Sequence, residues 1–289
     1  MQYRLNFIGC GQLGKTLGSL WHKSGTATIG DVLTRSLSSA ELSIKSIGSG
    51  NPICNISQMQ GAKIYLIACA DDETESCSQQ LANSDLLNKG DVVFHCSGAQ
   101  SSGLLKACKK QGASIASIHP IKSFANPELA QQSFAGTYCG IEGDEAALAI
   151  LKPLFIAIGA NLIAINSEHK TLYHAASVIA SNYLVTLQEM SIQTFEKAGV
   201  SRQDAMAILQ PIVSGTVDNI FDLGTVDALT GPIARGDTQI VDAQLKALQE
   251  WDENLAAAYR LLATLSLPLA IEQGTAKPEN MASLSRLLG

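Results

Sequence analysis

The stretch LNFIGCGQLGKTLGSL, Leu5–Leu20, decides how the rest of the chain is read. A short, mostly apolar run leads into Gly9, Gly11 and Gly14 in GxGxxG spacing, and an amphipathic pattern of helical period follows. A strand that turns through such a loop into a helix opens a dinucleotide-binding βαβ unit. Each glycine has its own job: Gly9 permits the tight turn, Gly11 lets the backbone come close to a pyrophosphate, and Gly14 lets the helix lie on the strand. Gln12 and Leu13 begin the helix, whose free N–H groups and positive dipole end favour an anion. With Cys10 they complete the expected phosphate cradle. A purely structural glycine-rich turn is the alternative, and the βαβ pattern that follows argues against it.

Outward from this loop, short apolar runs alternate with helical segments. TATIGDVLTRS reads as a second strand, NPICNIS as a short third strand or loop, and KIYLIACA (Lys63–Ala70) as a buried strand. DVVFHCSG (Asp91–Gly98), ASIASIHP and FAGTYCGIEG follow, and NLIAIN (Asn161–Asn166) closes the series. Strands that alternate with helices in this way predict an α/β domain with a doubly wound parallel sheet over residues 1–166. From Ser167 onward the apolar residues recur at helical spacing through three long segments, so 167–289 is read as an all-α domain. ALTGPIARGD (Ala228–Asp237) interrupts it: Thr230–Gly231–Pro232 breaks a helix, and Asp237 stands where it can cap the next.

Composition narrows the function classes. The 289 residues are 46% hydrophobic and 16% charged, which describes a globular chain with a substantial core. A net charge of −6 without a Lys/Arg run gives no nucleic-acid surface. The seven cysteines lie in the first half and form no CxxC pair, so they read as small buried hydrophobes in a reducing cytoplasm, and no Cys/His pair has the spacing of a metal site. The opening MQYRLNFIGCGQLG lacks a basic region and a long apolar core, so no signal peptide is expected. No apolar stretch reads as long enough to cross a membrane.

The tips of the strands carry the chemistry, because ligands of doubly wound sheets bind outside the carboxyl ends. An NAD site places an acidic residue at the end of the second strand. Here Asp31 comes too early, and Thr34, Arg35 and Ser36 occupy the tip. A guanidinium between hydroxyls suits a 2′-phosphate, so the expected cofactor is NADP (NADPH); otherwise Arg35 is a solvated loop residue. Ala70 and the Asp71 beside it follow the fourth strand, with Asp71 readable as a helix cap. Ser97 and Gly98 follow the fifth, Gly98 giving room to the nicotinamide ribose. After the next strand, SIHPIKSFAN presents His119, Lys122 and Ser123. Lys122 is either a proton donor or carboxylate anchor, or a surface lysine. In TLYHAASVIASNYL, His174, Ser177, Ser181 and, more loosely, Asn182 share a helical face. The strip either orients the helix or works over the nicotinamide, with His174 as general acid and Asn182 holding a carbonyl or carboxylate. Lys170, one turn earlier, can lower the pKa of His174 if it faces the same cleft.

Taken together, GCGQLG, SGA (Ser97–Ala99), HP (His119–Pro120), YHAA (Tyr173–Ala176), SN (Ser181–Asn182) and LTGPIARGD (Leu229–Asp237) bring a resemblance over nearly the whole chain. It resembles the Rossmann-like proteins with a C-terminal helical domain of unknown function, which are similar to pyrroline-5-carboxylate reductases, prephenate dehydrogenases and other 6-phosphogluconate-dehydrogenase-like reductases. The resemblance implies an NADPH-dependent oxidoreductase acting on a small molecule. Some members are implicated as an alternative type of ketopantoate reductase, so a small 2-keto acid is the leading substrate class. A cyclic imine is the second, and a non-catalytic NADPH sensor the alternative. In related reductases the helical domain builds much of a dimer and a loop of one subunit reaches the other's cleft. A homodimer is therefore implied, and Arg235 becomes either a ligand of substrate carboxylate, with His119 and Ser181 as further contacts, or a staple between helices. The family often has glutamine at the position of Lys122, which shifts the acid role toward His174.

Overall fold

The computed structural model describes residues 2–289. Eight strands form one sheet: β1 (Tyr3–Ile8), β2 (Ala27–Leu33), β3 (Asn51–Ile53), β4 (Ile64–Ile67), β5 (Val92–His95), β6 (Ser114–Pro120), β7 (Tyr138–Gly143) and β8 (Asn161–Ala164), in the order 3-2-1-4-5-6-7-8. The order reverses direction between β1 and β4, the switch point at which such sheets bind ligands. Helices α1 (Gln12–Ser24), α2 (Leu37–Ile47), α3 (Thr74–Ala82), α4 (Lys106–Lys110), α5 (Pro127–Gln132) and α6 (Glu145–Ile156) join the strands.

Alternate residues of each strand feed two cores, one on each face. On one, Leu5, Phe7, Leu66 and Phe94 meet Leu17 and Trp21 of α1 and Leu151 and Phe155 of α6. The Trp21 ring stands edge-on to Phe94 and Phe155 at centroid distances of 6.4 and 5.4 Å, and its indole N–H donates to the Leu154 carbonyl at 3.1 Å. On the other face, Tyr65, Ile67 and Val93 pack with Leu81, Leu105 and Cys108.

The sheet departs from the all-parallel expectation at one place. β7 runs antiparallel to β6, with Pro120 opposite Cys139 and Ala116 opposite Gly143, and β8 follows β7 in parallel. The connection, residues 121–137, holds only the six-residue α5 and re-enters the sheet at the end where β6 leaves it.

A second compact unit comprises Asn182–Gly289, and the division falls within α7 (Lys170–Lys197), later in the chain than the change of sequence pattern near Asn166. In this unit α8 (Arg202–Asp227), α9 (Pro232–Arg235), α10 (Thr238–Gln249), α11 (Glu253–Gln273) and α12 (Pro278–Leu288) follow. The long last segment read as one helix is two, because Asp252 accepts the Leu255 N–H at 3.0 Å and caps a new start. By length and composition α11 is apolar enough to cross a membrane, against the sequence expectation. Its Ala263, Leu267 and Ala270 nevertheless pack with Val241 of α10 and with Met281 and Leu284 of α12, and Arg260 donates to the Leu287 carbonyl at 3.1 Å. It is thus the central helix of a small helical core.

ALTGPIARGD is a tight excursion of this core. Gly231 and Gly236 (φ +91° and +73°) bound the single turn α9, and Ala234 is buried. Asp237 holds the N-cap position of α10, yet its carboxylate does not cap. It accepts from Arg235 Nε at 2.9 Å instead, because the guanidinium is two residues away and the pair closes the turn.

Asp31 answers the question of the second strand directly. It lies inside β2, fully buried, where it accepts from Gln60 N at 2.7 Å and Asn51 Nδ2 at 3.0 Å and pairs with Arg4 Nη2 at 3.2 Å. It ties β1, β2, β3 and the approach to β4 together and has no part at the tip. Asp31→Ala is expected to cost about 3 kcal/mol by urea denaturation, since an ion pair and two donors lose their acceptor. Nucleotide affinity per folded molecule should be unchanged, and a selective loss of affinity would overturn the structural assignment.

Candidate functional site

The loop after β1 has the conformation its glycines imply. Gly9 adopts φ +77°, and a Cβ there would lie 2.7 Å from Cys69 N and 2.9 Å from the Ala68 carbonyl carbon, so the turn presses on the backbone after β4. At Gly11 a Cβ would meet nothing within 4 Å, which leaves the exposed side of the loop open to a ligand. Gly14 lies 3.4 Å from the Ala68 side chain by the same measure and brings α1 onto the sheet. No side chain caps α1 and no acidic residue lies in its first turn, so the N–H groups at Gln12 and Leu13 face outward unpaired by side chains. Burial pushes the Cys10 thiol up to about 11, keeping it uncharged beside the cradle. An open, uncapped, positively polarised helix start of this kind fits a pyrophosphate.

At the tip of β2, Arg35 is exposed. Ser36 caps α2, accepting the Ser39 N–H at 3.3 Å, and its hydroxyl also meets those of Ser38 at 3.2 Å and Ser39 at 2.9 Å. Arg35 thus immediately precedes a cluster of three serine hydroxyls in the chain.

The loop after β5 is stapled from beneath. His95 accepts the Ser97 N–H on Nδ1 at 3.1 Å. Its Nε2 meets the Ser101 carbonyl at 3.1 Å, and because a carbonyl only accepts, Nε2 carries the proton. The Ser97 hydroxyl donates to Asp71 Oδ2 at 2.8 Å and accepts the Gln100 N–H at 3.1 Å. Asp71 thus braces two strand-end loops rather than capping a helix. Glu142 of β7 receives the Ser102 N–H and hydroxyl, both at 2.7 Å, and pairs with the buried Lys170 at 3.4 Å. Lys170 also donates to Ser117 of β6. Burial drives the Lys170 pKa down, and Glu142 opposes that shift.

Over this loop stand two histidines. A Cβ on Gly98 would collide with His174 Nδ1 and lie 2.8 Å from His119 Nε2, so both nitrogens point at one place. Gly98 is glycine because these rings occupy the space above it. The rings meet edge to face at 5.6 Å, and buried His174 Nδ1 has no partner within the protein. His119 Nδ1 lies 3.2 Å from the Tyr173 hydroxyl, whose oxygen rests on Gly140.

Residues 2–120 match the Rossmann-like domain family and residues 137–265 the family described as a domain of unknown function, DUF2520. The chain thus carries a match to each of these two domain families. A solved protein from Thermotoga maritima is similar at 27% identity, with 93% of this chain and 99% of that one covered and a TM-score of 0.74. A pyrroline-5-carboxylate reductase from Coxiella burnetii (16%, 93% and 99%, TM-score 0.60) and an imine reductase from Myxococcus stipitatus in complex with NADP+ (17%, 98% and 92%, TM-score 0.58) share the fold. None of the curated proteins matches.

The Rossmann-like unit thus gathers His119, His174, Ser97 and Gly98, with Gly9–Gly14, Ala70 and Arg35 at neighbouring strand ends. Lys122 is occupied elsewhere: its ammonium donates to the Ser133 carbonyl at 2.8 Å and closes the β6–β7 connection. Ser177 turns back to its own helix at the Tyr173 carbonyl, and Ser181 is exposed. Asn182 and Arg235 belong to the helical unit, Arg235 held by Asp237. Sequence reasoning assigned no role to Tyr173 or His95, and it set Lys170 beside His174 where the structure pairs it with Glu142. Their signal was polar residues at buried strand parity, Ser117 in SIASIHP and Glu142 in GIEG.

The histidines give a test by pH. Burial, then His174 and Lys170, push His119 down to about 4, against Asp71. Burial and then Lys170 do the same to His95, against its bond to Ser101 and the charges of Glu142 and Asp71. Both rings stay neutral in the folded chain to about pH 4, whereas in the unfolded chain they protonate below about 6.5. The unfolded state therefore binds more protons in this window, and stability falls as pH drops from 6.5 toward 4. Urea midpoints should be lower at pH 5 than at pH 7, with a shallower dependence in His119→Gln; identical slopes in the two proteins would contradict a depressed His119.

Proposed function

We propose that this chain is an NADPH-dependent reductase of a small carbonyl compound, with a 2-keto acid of the ketopantoate (2-dehydropantoate) type as leading substrate. The convergence of His119 and His174 nitrogens over Gly98 carries the reading. It puts two neighbouring imidazoles at the carboxyl edge of the sheet, beyond the same strand ends as the glycine loop. The open side of Gly11 and the uncapped start of α1 suit the pyrophosphate, and Arg35 with Ser36, Ser38 and Ser39 suits a 2′-phosphate. When bound, the nicotinamide supplies a hydride. The chain's own part is to hold the substrate oxygen at the histidine pair and to give it a proton. The likeness to an imine reductase and a pyrroline-5-carboxylate reductase supports the reductase class, and it favours a cyclic imine as the second reading.

The helical unit supports a homodimer. α8 has 26 residues, of which only Ala205 is buried, while Met206, Ile212, Phe221 and Leu223 are all more than half exposed. A helix so apolar and so little covered needs a partner surface, and a second copy of this chain supplies one of matching character. The seven free thiols suit a reducing cytoplasm.

NADPH oxidation measured against a panel of 2-keto acids and cyclic imines tests the activity, and binding without turnover would make the chain a sensor instead. In the same assay NADPH should bind more tightly than NADH. Arg35→Ala should narrow that preference about tenfold, the scale of a charge-assisted phosphate contact; an unchanged ratio removes Arg35 from the cofactor site. Light scattering at micromolar concentration should give the mass of a dimer, and Phe221→Asp should weaken it. A monomeric parent would reject the interface.

A further inference from the structure

Tyr173 touches His119, whose two nitrogens face different surroundings. Its hydroxyl meets His119 Nδ1 at 3.2 Å, with the rings edge to face at 5.6 Å. The phenolic oxygen rests so closely on Gly140 that a Cβ there would lie 2.8 Å from Tyr173 Cζ. Among the described residues His119 Nδ1 is the only hydrogen-bond partner of the Tyr173 hydroxyl, so the phenol gives its proton there. The neighbouring Nδ1 then accepts, and the His119 proton resides on Nε2, the nitrogen aimed over Gly98.

We propose that Tyr173 is a positioning residue that fixes His119 as its Nε2–H tautomer and completes a two-proton relay from Tyr173 through His119 to the substrate oxygen. The inference rests on the reductase reading and names the proton donor within it. In the relay the alkoxide oxygen takes the Nε2 proton of His119 as its new O–H bond. Nδ1 takes the Tyr173 proton, leaving a phenolate that solvent reprotonates. His119 remains neutral at every stage, which suits a ring that burial keeps from charging. Burial also holds Tyr173 up at about 12, so it yields its proton only to a stronger base such as an alkoxide. His174, with Nδ1 unpartnered and aimed at the same place, holds the oxygen while the proton moves.

The test has a half that needs no substrate. Nitrogen NMR of the full chain labelled at histidine should show His119 with its proton on Nε2, and Tyr173→Phe should mix the two tautomers. A parent carrying the proton on Nδ1, or a Tyr173→Phe spectrum like the parent's, overturns the assignment. With a turned-over substrate, Tyr173→Phe should lose roughly a hundredfold in kcat with little change in KM. The number of protons contributing to the solvent deuterium effect should fall from two to one, which a merely structural tyrosine would leave alone. Retained kcat in a folded Tyr173→Phe chain overturns the relay. If that variant does not fold, the parent's tautomer and its two-proton solvent effect decide, and one proton in the parent overturns the relay. A parent with the Nε2–H tautomer and no turnover of any carbonyl or imine removes the reductase reading alone and leaves the control of the tautomer by Tyr173 in place.

Discussion

The turn at Gly9 presses directly on the backbone of Ala68 and Cys69, and everything at the carboxyl edge of the sheet depends on that approach. Any side chain at Gly9 would push β1 and β4 apart at the point where the sheet changes direction. Because they meet there, α1 starts over the sheet edge with its first N–H groups free, and the loops after β2, β4, β5 and β6 stand beside the same edge. The cradle is thus a consequence of backbone packing, not of any one ligand-binding side chain.

Beneath that edge the Rossmann-like unit carries an unusual load of buried polar groups. Lys170, Glu142, Ser117, Ser102 and His95 are all buried, and each has a partner. Such a network costs desolvation and is tolerated because its donors and acceptors are matched. What it does here is immobilise the loop from Ser97 to Ser102, holding Gly98 still beneath the two histidines. Rigid support of this kind suits the proposed proton transfer, which a misplacement of about an ångström would slow about a hundredfold.

Much of this was legible in order. The GxGxxG spacing and the run of short strands announced the α/β sheet and the turn at Gly9, because backbone geometry and the period of apolar residues write themselves into local sequence. His119 and His174 were visible as polar residues at unlikely places. The antiparallel β7 was not, since a connection of the length of residues 121–137 can return to either end of the sheet. Nor was the diversion of Lys122 to Ser133, or of Asp237 to Arg235, because a side chain's partner is chosen among neighbours that only packing supplies.

The sequence by itself determined the α/β unit, the change to helices near Asn166 and the open glycine loop, all properties of periodicity and of residues without a Cβ. The tertiary structure decided what each polar side chain does. Asp31 became a strut, Asp71 a brace, and Tyr173 the partner of a histidine 54 positions away. The physical reason is that a hydrogen bond reaches only about 3 Å. Residue types list the donors and acceptors, and only the folded sheet brings particular pairs within that reach.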